Sequence, residues 1–486
     1  MGYAYKVAVI GAGLSGLACA YRLKQSGIHP IVLEETEQPG GMIATVRRNG
    51  FIFEAGPQCP RFPASVWALV KELNIEKEFV HGDPKAKRYI LKQGLLHPAP
   101  FSAVGIMATQ LIDLRSKLRF LGEPFGNTHP PDHEESLAEF VQRKFGSAVL
   151  EYLVDPVIGT VFLADSREMG MESAFPALVD WERSQGSLVR GAIRGSMAKR
   201  RRASSDGSQT PNHHETKRRR LHLTDALPSL GSFKSGMGLL PEKLSQALAE
   251  SVKYGERAES VSPARRENGV PTDGWRVQMS GGEEITAESL VLAVPAYVAA
   301  RLLEKSAPQL GRLLGEIEYA PMCSVSSAYE GTQASHSLDG FGFMVPRREG
   351  LSTICTFWNS SLFRGRAPEG KVLMTSFARG DPREAIAASS EEECARTIHA
   401  ENARILGIRG EPVEQMIWRY PRAMPQYNVG HRKRVAEIGR LLETLPSLSL
   451  VGNYLTGRSI GDCVELASRV AEGLIAVLED QTSKFA

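Results

Sequence analysis

Val7-Ala8-Val9-Ile10-Gly11-Ala12-Gly13-Leu14-Ser15-Gly16 is the stretch that decides the fold of this chain. Four apolar residues typical of a buried strand lead directly into a Gly-x-Gly-x-x-Gly turn, and Leu17–Gln25 follows with a helical pattern. Gly11 permits the tight turn, Gly13 lets the backbone approach a pyrophosphate, and Gly16 lets the helix pack against the strand. The helix N-terminus also offers unpaired N–H groups to phosphates. The stretch therefore predicts the start of a dinucleotide-binding fold.

The residues that follow complete this unit. Ile31-Val32-Leu33 is a second apolar strand, and it ends in Glu34, where an acid accepts hydrogen bonds from a ribose diol. Gly40-Gly41 comes next, and a double glycine lets the chain pass close to the flavin end of an extended dinucleotide. The pattern therefore favours FAD over NAD.

The composition is that of a globular protein with several domains. The chain has 486 residues, of which 42% are hydrophobic and 23% charged, so two or three domains are expected. A net charge of only +3 gives no reason to expect a nucleic-acid partner. Six cysteines without paired spacing argue against a disulfide framework and against a zinc site, and they suit a reducing compartment. We expect no bound metal.

The middle of the chain changes character twice. From Phe101 to about Ser196, apolar residues at three- and four-residue spacing predict helices. Within this region, apolar Pro98–Leu114 precedes three basic residues that end at Arg119, a pattern typical of a core helix with a solvated end. The same pattern also fits a patch that enters lipid headgroups with cations at its rim. Residues 198–221, rich in basic and small polar residues, predict a disordered loop.

Strand signals dominate most of the remainder. A hairpin is predicted around Gln93-Gly94, and a helix interrupts later strands at Glu391–Leu406. A small antiparallel sheet is predicted to end with Glu284–Ala287, and Ser289–Val294 is predicted as a separate buried strand. A last helix is predicted from about Asp462.

These signals predict an α/β protein, α+β overall, in which the nucleotide fold is discontinuous. The predicted parts are a Rossmann-like FAD-binding domain of residues 1–50, 225–300 and 440–486, an inserted mixed-sheet substrate domain of residues 51–95 and 301–439, and a helical, membrane-docking domain of residues 96–224.

Several further motifs are characteristic of one group of flavoproteins. Phe53-Glu54-Ala55-Gly56-Pro57 and Ala293-Val294-Pro295 are typical of the amine oxidase and phytoene desaturase superfamily. Ala423–His431 is similar to a narrower Pro-Gln-Tyr-x-x-Gly-His motif, and Gly452–Val464 is similar to a C-terminal flavin motif. On these motifs the chain, from residue 5 to about 478, resembles the protoporphyrinogen oxidases of haem synthesis.

The resemblance implies non-covalent FAD held by residues from both ends of the chain. The implied contacts are Gly11, Ala12, Gly13, Leu14, Ser15, Gly16, Glu34, Glu35, Gly40, Gly41, Met42, Gly56, Pro57, Gln58, Val252, Ala293, Gly452, Asn453, Arg458, Ser459 and Ile460. A helix that starts near Asp462 would point its positive end toward the flavin edge where negative charge accumulates. We interpret Cys463 as a packing residue rather than a site of covalent attachment.

The implied reaction removes six electrons from protoporphyrinogen IX in three two-electron steps, each passing a hydride to flavin N5, and yields protoporphyrin IX. Since the cofactor carries the difficult step, no side chain is assigned as catalytic. Oxidation of coproporphyrinogen III to coproporphyrin III is an alternative. A flavin amine oxidase or carotenoid desaturase is a more distant one, and a non-catalytic flavin-binding or lipid-docked scaffold is the third class.

Six positions are assigned to the substrate by the resemblance: Gln58, Arg61, Phe341, Met344, Phe377 and Arg458. The three apolar side chains would enclose the macrocycle above the flavin, or would be ordinary core residues. Porphyrinogen propionates favour guanidinium partners. Gln58 stands where several family members have a basic residue, and Arg61 could replace it. Arg458 could bind a propionate, stabilise reduced flavin or face solvent.

The expected location is cytoplasmic, with peripheral contact at the inner face of the cell membrane. The N-terminus lacks the basic start of a signal peptide, and no run of about 18 apolar residues predicts a transmembrane helix. Oxygen or a quinone is expected as the electron acceptor, and a homodimer is left open.

Overall fold

The computed structural model describes residues 4–126, 128–195, 229–265, 271–379, 389–445 and 447–485. The predicted basic loop, residues 198–221, lies outside these ranges. Strands and helices are numbered below along the chain.

A seven-stranded sheet joins the two ends of the chain. Its strands are β1 (Tyr5–Ile10), β2 (Ile31–Leu33), β10 (Val252–Lys253), β11 (Ala258–Arg265), β12 (Pro271–Met279), β13 (Glu284–Leu292) and β19 (Leu448–Leu450). The order is β10-β2-β1-β13-β12-β11, and β19 also pairs with β13. The strands β10, β2, β1, β13 and β19 run parallel, so their carboxyl ends lie at one edge.

Strand β13 corrects the sequence prediction of two separate strands. Residues 284–287 pair with antiparallel β12, whereas residues 290–292 pair with parallel β19 on the same side. Along the strand, burial alternates at first and then becomes continuous. A strand covered on one face alternates in polarity, and a strand covered on both faces does not, so one strand carries two sequence signatures.

A second seven-stranded sheet carries most of the middle of the chain. Its strands are β7 (Arg88–Lys92), β8 (Leu95–Pro98), β14 (Tyr319–Glu330), β15 (Gly342–Met344), β16 (Thr353–Phe357), β17 (Lys371–Arg379) and β18 (Glu414–Pro425). The order is β18-β14-β17-β16-β15-β7-β8, and only the β15–β7 pair among these is parallel. The predicted hairpin is confirmed, since Gln93 and Gly94 both have positive φ as its turn requires.

Two small sheets complete the strands: β3 (Thr45–Arg48) pairs with β4 (Phe51–Glu54), and β9 (Ser229–Phe233) lies between β5 (Arg61–Phe62) and β6 (Phe79–His81). The strands thus show the predicted mixture of parallel and antiparallel sheets. The assignment of boundaries to three domains stays a prediction.

The helices whose full length is described alternate with these strands or cluster between them. They are α1 (Leu14–Gln25), α2 (Ala64–Glu72), α3 (Ala103–Ala108), α4 (Leu114–Gly122), α5 (Leu137–Lys144), α6 (Ser147–Val149), α7 (Asp155–Phe162), α8 (Met171–Ala174), α9 (Pro176–Gln185), α10 (Leu239–Leu248), α11 (Ala296–Leu303), α12 (Pro308–Gly315), α13 (Asn359–Leu362), α14 (Glu391–Leu406), α15 (His431–Glu443) and α16 (Ile460–Phe485). A π-helical turn, Leu150–Val154, joins α6 to α7. The predicted bounds of α14 are confirmed.

The helical region after β8 is confirmed, but its first helix does not lie in the core. None of the residues of α3 is buried, so the core-helix interpretation of Pro98–Leu114 is wrong. The chain between α3 and α4 buries Leu111 and Ile112 instead, against residues of α5 and α7. Within the described ranges, no helix combines the length and apolar content needed to cross a bilayer.

A buried ion pair fastens the segment after the nucleotide unit to the second sheet. Glu54 and Arg366 are each 2% exposed, and Oε1 of Glu54 lies 2.8 Å from Nη1 of Arg366. Glu54 also accepts hydrogen bonds from Thr45 Oγ1 (2.6 Å) and the Met237 N–H (2.9 Å). Arg366 donates to Ser232 Oγ at 2.5 Å. Because each charge has several partners, the four chain segments are held in one arrangement.

Candidate active site

The candidate cofactor site lies at the carboxyl ends of the parallel strands. Ligands of open α/β sheets bind in the crevice outside this edge. Four backbone hydrogen bonds continue the parallel pairing just past the strand ends: Gly11 N–H to Leu33 O (2.8 Å), Glu34 N–H to Lys253 O (2.9 Å), Ala293 N–H to Ile10 O (2.8 Å) and Val451 N–H to Leu292 O (3.0 Å).

The glycine-rich turn is packed tightly at two positions and open at the third. A Cβ on Gly11 would lie 2.6 Å from the Ala293 carbonyl oxygen, and one on Gly16 would lie 2.0 Å from the Gly11 oxygen. A Cβ on Gly13 would meet no atom within 4 Å. Gly13 precedes α1, whose first turn has neither a side-chain cap nor an acidic residue. Its N–H groups can therefore bind phosphate oxygens, with Leu14 and Ser15 in the first turn.

Glu34 lies beside this turn at the end of β2 and is 9% exposed. Its carboxylate accepts hydrogen bonds from the Ala12 N–H (2.7 Å) and from the N–H (3.0 Å) and hydroxyl (2.8 Å) of Thr36. These bonds fix the carboxylate next to the glycine-rich turn, where a ribose diol needs an acceptor. Val252 lies on the neighbouring strand opposite Val32, whereas Glu35 is exposed.

The second glycine pair, Gly40-Gly41, faces the glycine-rich turn. Gly40 forms a β-bridge with Gly13, and its φ of +108° is one that side chains rarely allow. The atom nearest to a Cβ on Gly41 would be the Gly13 Cα, 3.8 Å away. Met42 follows this pair, and its carbonyl oxygen would lie 2.2 Å from a Cβ on Gly56. The backbone at Gly56 therefore packs closely against Met42.

The closing segment of the chain lies at the same place. The last helix begins at Ile460 and packs against α1, and the Cys463 thiol on its first turn lies near Ser15 on the first turn of α1. Burial raises the pKa of Cys463 to about 11, so the thiol stays protonated. The N–H and hydroxyl of Ser459 both donate to Asp462 Oδ2 (3.0 and 2.6 Å) and hold the loop before the helix. Gly452 and Asn453 lie just past β19.

Together these features fit FAD. An uncapped helix N-terminus with an open Gly13 suits a pyrophosphate, and the fixed Glu34 carboxylate suits a ribose. The start of α16 adds a second helix N-terminus beside the first, which favours negative charge nearby.

The Pro-Gln-Tyr-x-x-Gly-His segment connects the helical region to the flavin loop. The Tyr427 hydroxyl donates to the Asn453 carbonyl at 2.5 Å, and its ring stacks on His431 with centroids 4.6 Å apart. On the other side, the Gly170 N–H donates to the Tyr427 carbonyl (2.8 Å) and the Gly430 N–H to a Glu134 oxygen (3.0 Å). Burial lowers the pKa of His431 to about 4, so its ring is neutral at physiological pH.

Three of the predicted substrate residues line one face of the second sheet. Met344 and Phe377 belong to one apolar cluster with Met42. Phe357 connects Phe341 to Phe377, with ring centroids 5.7 and 5.4 Å apart. Sequence reasoning missed Phe357, although strand alternation places it on the face of Cys355 in β16. These rings form an aromatic wall on the side of Met42, which follows the second glycine pair.

Arg88 stands at one end of this aromatic wall and was also missed. Its guanidinium carbon lies 4.3 Å from the ring centroid of Phe341 and 5.4 Å from that of Phe101. Burial lowers the pKa of Arg88, and so does the like charge of Arg61, which the sequence did predict. Among described residues Asp83 acts on it electrostatically, but no carboxylate forms an ion pair with it. No local motif marks Arg88, because Phe341 reaches it only through the β15–β7 pairing.

The other two predicted polar residues have protein partners. Gln58 is 3% exposed, and its amide bonds to the Glu54 and Gly56 carbonyls and to the Asn359 amide. The guanidinium carbon of Arg458 lies 3.4 Å from the Phe162 ring centroid, and its Nη1 donates to the Val161 carbonyl. Burial lowers the pKa of Arg458 to about 10, so it stays charged at neutral pH. The site therefore offers Arg88 more directly than Gln58 or Arg458.

A family model described as flavin containing amine oxidoreductase matches residues 14–475. The chain belongs to this family. It is an FAD-dependent oxidoreductase, as the cofactor site indicates.

The similarity to the protoporphyrinogen oxidases is also confirmed. Protoporphyrinogen oxidase 2, chloroplastic/mitochondrial, of Arabidopsis thaliana is 28% identical over 98% of this chain and 94% of its own length. Coproporphyrinogen III oxidase of Propionibacterium freudenreichii is 27% identical over 96% of this chain and 90% of its length. A crystal structure from Exiguobacterium sp. 255-15, described as a candidate protoporphyrinogen oxidase, covers 97% of this chain and 99% of its own with a TM-score of 0.78 and 20% identity.

The contrast between Gly13 and Gly16 gives a test of the cofactor site. Gly13→Ala should leave the melting temperature of FAD-free protein unchanged, because φ −67° and ψ 172° suit alanine and the Cβ meets no atom within 4 Å. Its dissociation constant for FAD, measured by flavin fluorescence, should rise at least about tenfold, because the methyl group occupies the path of the pyrophosphate.

Gly16→Ala is the matched control, since its Cβ would lie 2.0 Å from a carbonyl oxygen and should lower the stability of the protein itself. Unchanged FAD affinity in Gly13→Ala would place the pyrophosphate elsewhere.

Proposed function

We propose that this protein oxidises a porphyrinogen, with protoporphyrinogen IX as substrate and protoporphyrin IX as product. The observation that carries the proposal is the aromatic wall of Phe341, Phe357 and Phe377 with the Arg88 guanidinium at its end. A porphyrinogen has a broad apolar macrocycle with carboxylates on its rim, and this arrangement matches both parts. The names of the plant and bacterial relatives support the same substrate class.

Charge argues for an anionic substrate. Arg88 and Arg61 are half-buried, and the charge of Arg61 contributes to lowering the pKa of Arg88. Holding two like charges together in a partly desolvated place is costly, and a carboxylate that bridges them removes the cost. Arg88 makes no ion pair within the described chain, so a substrate carboxylate is its natural partner.

The same charges argue against the other flavin reactions of this superfamily. A polyamine is a cation and would face two guanidinium groups. A carotenoid has no carboxylate and would leave Arg88 desolvated without a partner. Neither substrate uses the feature that distinguishes this site.

The engagement of Arg458 and Gln58 within the protein favours a substrate with two carboxylates over one with four. Arg458, which could serve another carboxylate, stacks on Phe162 and donates to a backbone carbonyl. Gln58 is neutral, and its amide is occupied by hydrogen bonds within the protein. This supports protoporphyrinogen IX, with coproporphyrinogen III as the alternative.

The side chains of the site would bind and orient the porphyrinogen and exclude water from it. When bound, FAD supplies the two-electron acceptor for each of the three oxidation steps. Phe357 and Phe377 would support one face of the macrocycle, and Met344 and Met42 would keep water from it. Arg88 and Arg61 would fix its rotation by holding the carboxylate edge. We propose non-covalent FAD, since burial keeps the Cys463 thiol at the start of α16 protonated.

The test is anaerobic mixing of the FAD-loaded protein with protoporphyrinogen IX, coproporphyrinogen III and a polyamine in parallel. We expect rapid loss of the oxidised flavin absorbance with the two porphyrinogens, fastest with protoporphyrinogen IX. Reduction by the polyamine alone would refute the proposal. Reduction by none of the three would favour a non-catalytic flavin protein.

Arg88→Ala should raise the Michaelis constant for the porphyrinogen about 10- to 100-fold, as expected for loss of a charge-assisted hydrogen bond. The turnover number should change much less, because the proposed role of Arg88 is to bind a substrate carboxylate and not to transfer electrons. Arg422→Ala is the control, because that exposed arginine also stacks on an aromatic ring, Tyr297, at 4.6 Å. Equal Michaelis constants in both variants would remove Arg88 from the substrate site.

We further propose that the helical region docks the protein on a membrane surface. Among the residues that the structure describes, twelve of the fifteen exposed large apolar side chains lie between Leu95 and Ile193. Helix α4 directs Leu114, Leu118 and Leu121 outward at helical spacing, while its serine is buried. Basic residues on the same helix would contact lipid headgroups. Cytoplasmic location, the electron acceptor and oligomeric state stay predictions.

The three leucines of α4 provide a test with vesicles of anionic phospholipid. Replacing Leu114, Leu118 and Leu121 by serine should reduce co-sedimentation at least tenfold, since each buried leucine contributes roughly 1.5–3 kcal/mol. Serine at Val413 and Val477, exposed outside the helical region, is the control. Undiminished vesicle binding by the leucine variant would contradict docking through α4.

A further inference from the structure

Two cysteines that are distant in sequence meet in the second sheet. Cys323 lies in β14 and Cys394 on the first turn of α14, 71 residues later, and their Sγ atoms are 2.9 Å apart. The two residues are 4% and 0% exposed. All six cysteines of the chain are free thiols, so this pair is a dithiol and not a disulfide.

The surroundings favour a thiolate on Cys394. Arg419, directly opposite Cys323 on β18, donates to the Ser389 carbonyl at 2.5 Å, just before α14. The hydrogen bond from Cys323 lowers the pKa of Cys394, and the Arg419 charge acts in the same direction. Burial and the nearby carboxylates of Glu391 and Glu401 act against it. The N-terminus of a helix also favours a thiolate.

We propose that Cys323 and Cys394 are a modification site at which peroxide forms a reversible disulfide. In the first step the Cys394 thiolate attacks a peroxide oxygen and breaks the O–O bond, giving a sulfenic acid and hydroxide. The Cys323 sulfur then attacks the Cys394 sulfur, and the sulfenic oxygen leaves as water. In sum, two thiols lose two electrons and two protons to hydrogen peroxide, which becomes two waters.

The geometry suits closure without large movement. A disulfide needs its sulfurs about 2.05 Å apart, so the pair must close by less than 1 Å. Both residues belong to one packed cluster with Val325, Ala378 and Ile398, which holds α14 on the sheet. The oxidant reaches them through opening of the first turn of α14, whose end at Ser390 is exposed.

The disulfide would enclose the aromatic wall. The chain between the two cysteines includes β15, β16 and β17, which carry or adjoin Phe341, Phe357 and Phe377. Cys323 pairs with Ala378, the residue after Phe377. Because side chains alternate along a strand, Cys323 and Ala378 lie on the face opposite to that of Phe377. Oxidation would therefore tie α14 to the back of the substrate face without touching the substrate.

The experiment treats FAD-loaded protein with hydrogen peroxide, blocks remaining thiols with N-ethylmaleimide in denaturant, and digests it without reductant. We expect a peptide linked through Cys323 and Cys394, restored to two free thiols by dithiothreitol, and a loss of two thiols from the six in the chain. Six remaining thiols after peroxide, or a linkage between other cysteines, would overturn the proposal.

Two variants keep the outcome interpretable. Cys394→Ser should abolish the linked peptide and leave Cys323 unoxidised, because it removes the thiolate that attacks peroxide. Cys19→Ala removes a thiol that is equally buried, in α1, and should leave the Cys323–Cys394 linkage intact. Loss of the linkage in both variants would mean that it reflects general unfolding and not this site. Because peroxide is added directly, the result does not depend on the porphyrinogen proposal.

Discussion

The pairing of β13 with strands from both ends of the chain is the constraint on which the rest of the structure depends. β1 lies on one side of β13 and β19 on the other, with backbone hydrogen bonds that continue past the strand ends. Because all three run parallel, the glycine-rich turn and the closing flavin loop leave the sheet at one edge. The first turns of α1 and α16 then meet, with Ser15 and Cys463 near each other. A cofactor site built from residues 400 positions apart follows from strand pairing alone.

The substrate side depends on a different feature, the two unlike faces of the second sheet. One face carries Phe357 and Phe377 toward Met42, which follows the second glycine pair. The other packs against α14, where Asn402 bonds to Thr356 and Ser376. Polar contacts behind the sheet hold the strands in register, so the apolar side chains on the front keep their arrangement. The buried pair of Glu54 and Arg366 fastens this sheet to the segment after the nucleotide unit.

Local sequence signals were sufficient to predict an element where they marked both of its ends. The bounds of α14 were predictable because Ser390 caps it, glutamates fill its first turn and Gly407 ends it with positive φ. β13 was divided in two because its neighbours change along its length. Arg88 and the Cys323–Cys394 pair could not be read, because their partners are chosen by sheet register and helix packing. The burial of Gln58 likewise depends on Asn359, 301 residues away.

The helical region and the flavin loop are joined directly through Arg458 and indirectly through Tyr427, and this relates the proposed membrane surface to the proposed chemistry. Tyr427 bonds to Asn453 in the loop while its backbone bonds to Gly170, and Arg458 covers Phe162 at the end of α7. A helix that moved on lipid would shift these contacts. The neutral, buried His431 stacked on Tyr427 opposes such movement, since neither ring can leave without exposing apolar surface. The segment that identifies the resemblance is therefore also the one that keeps the loop fixed beside the helices.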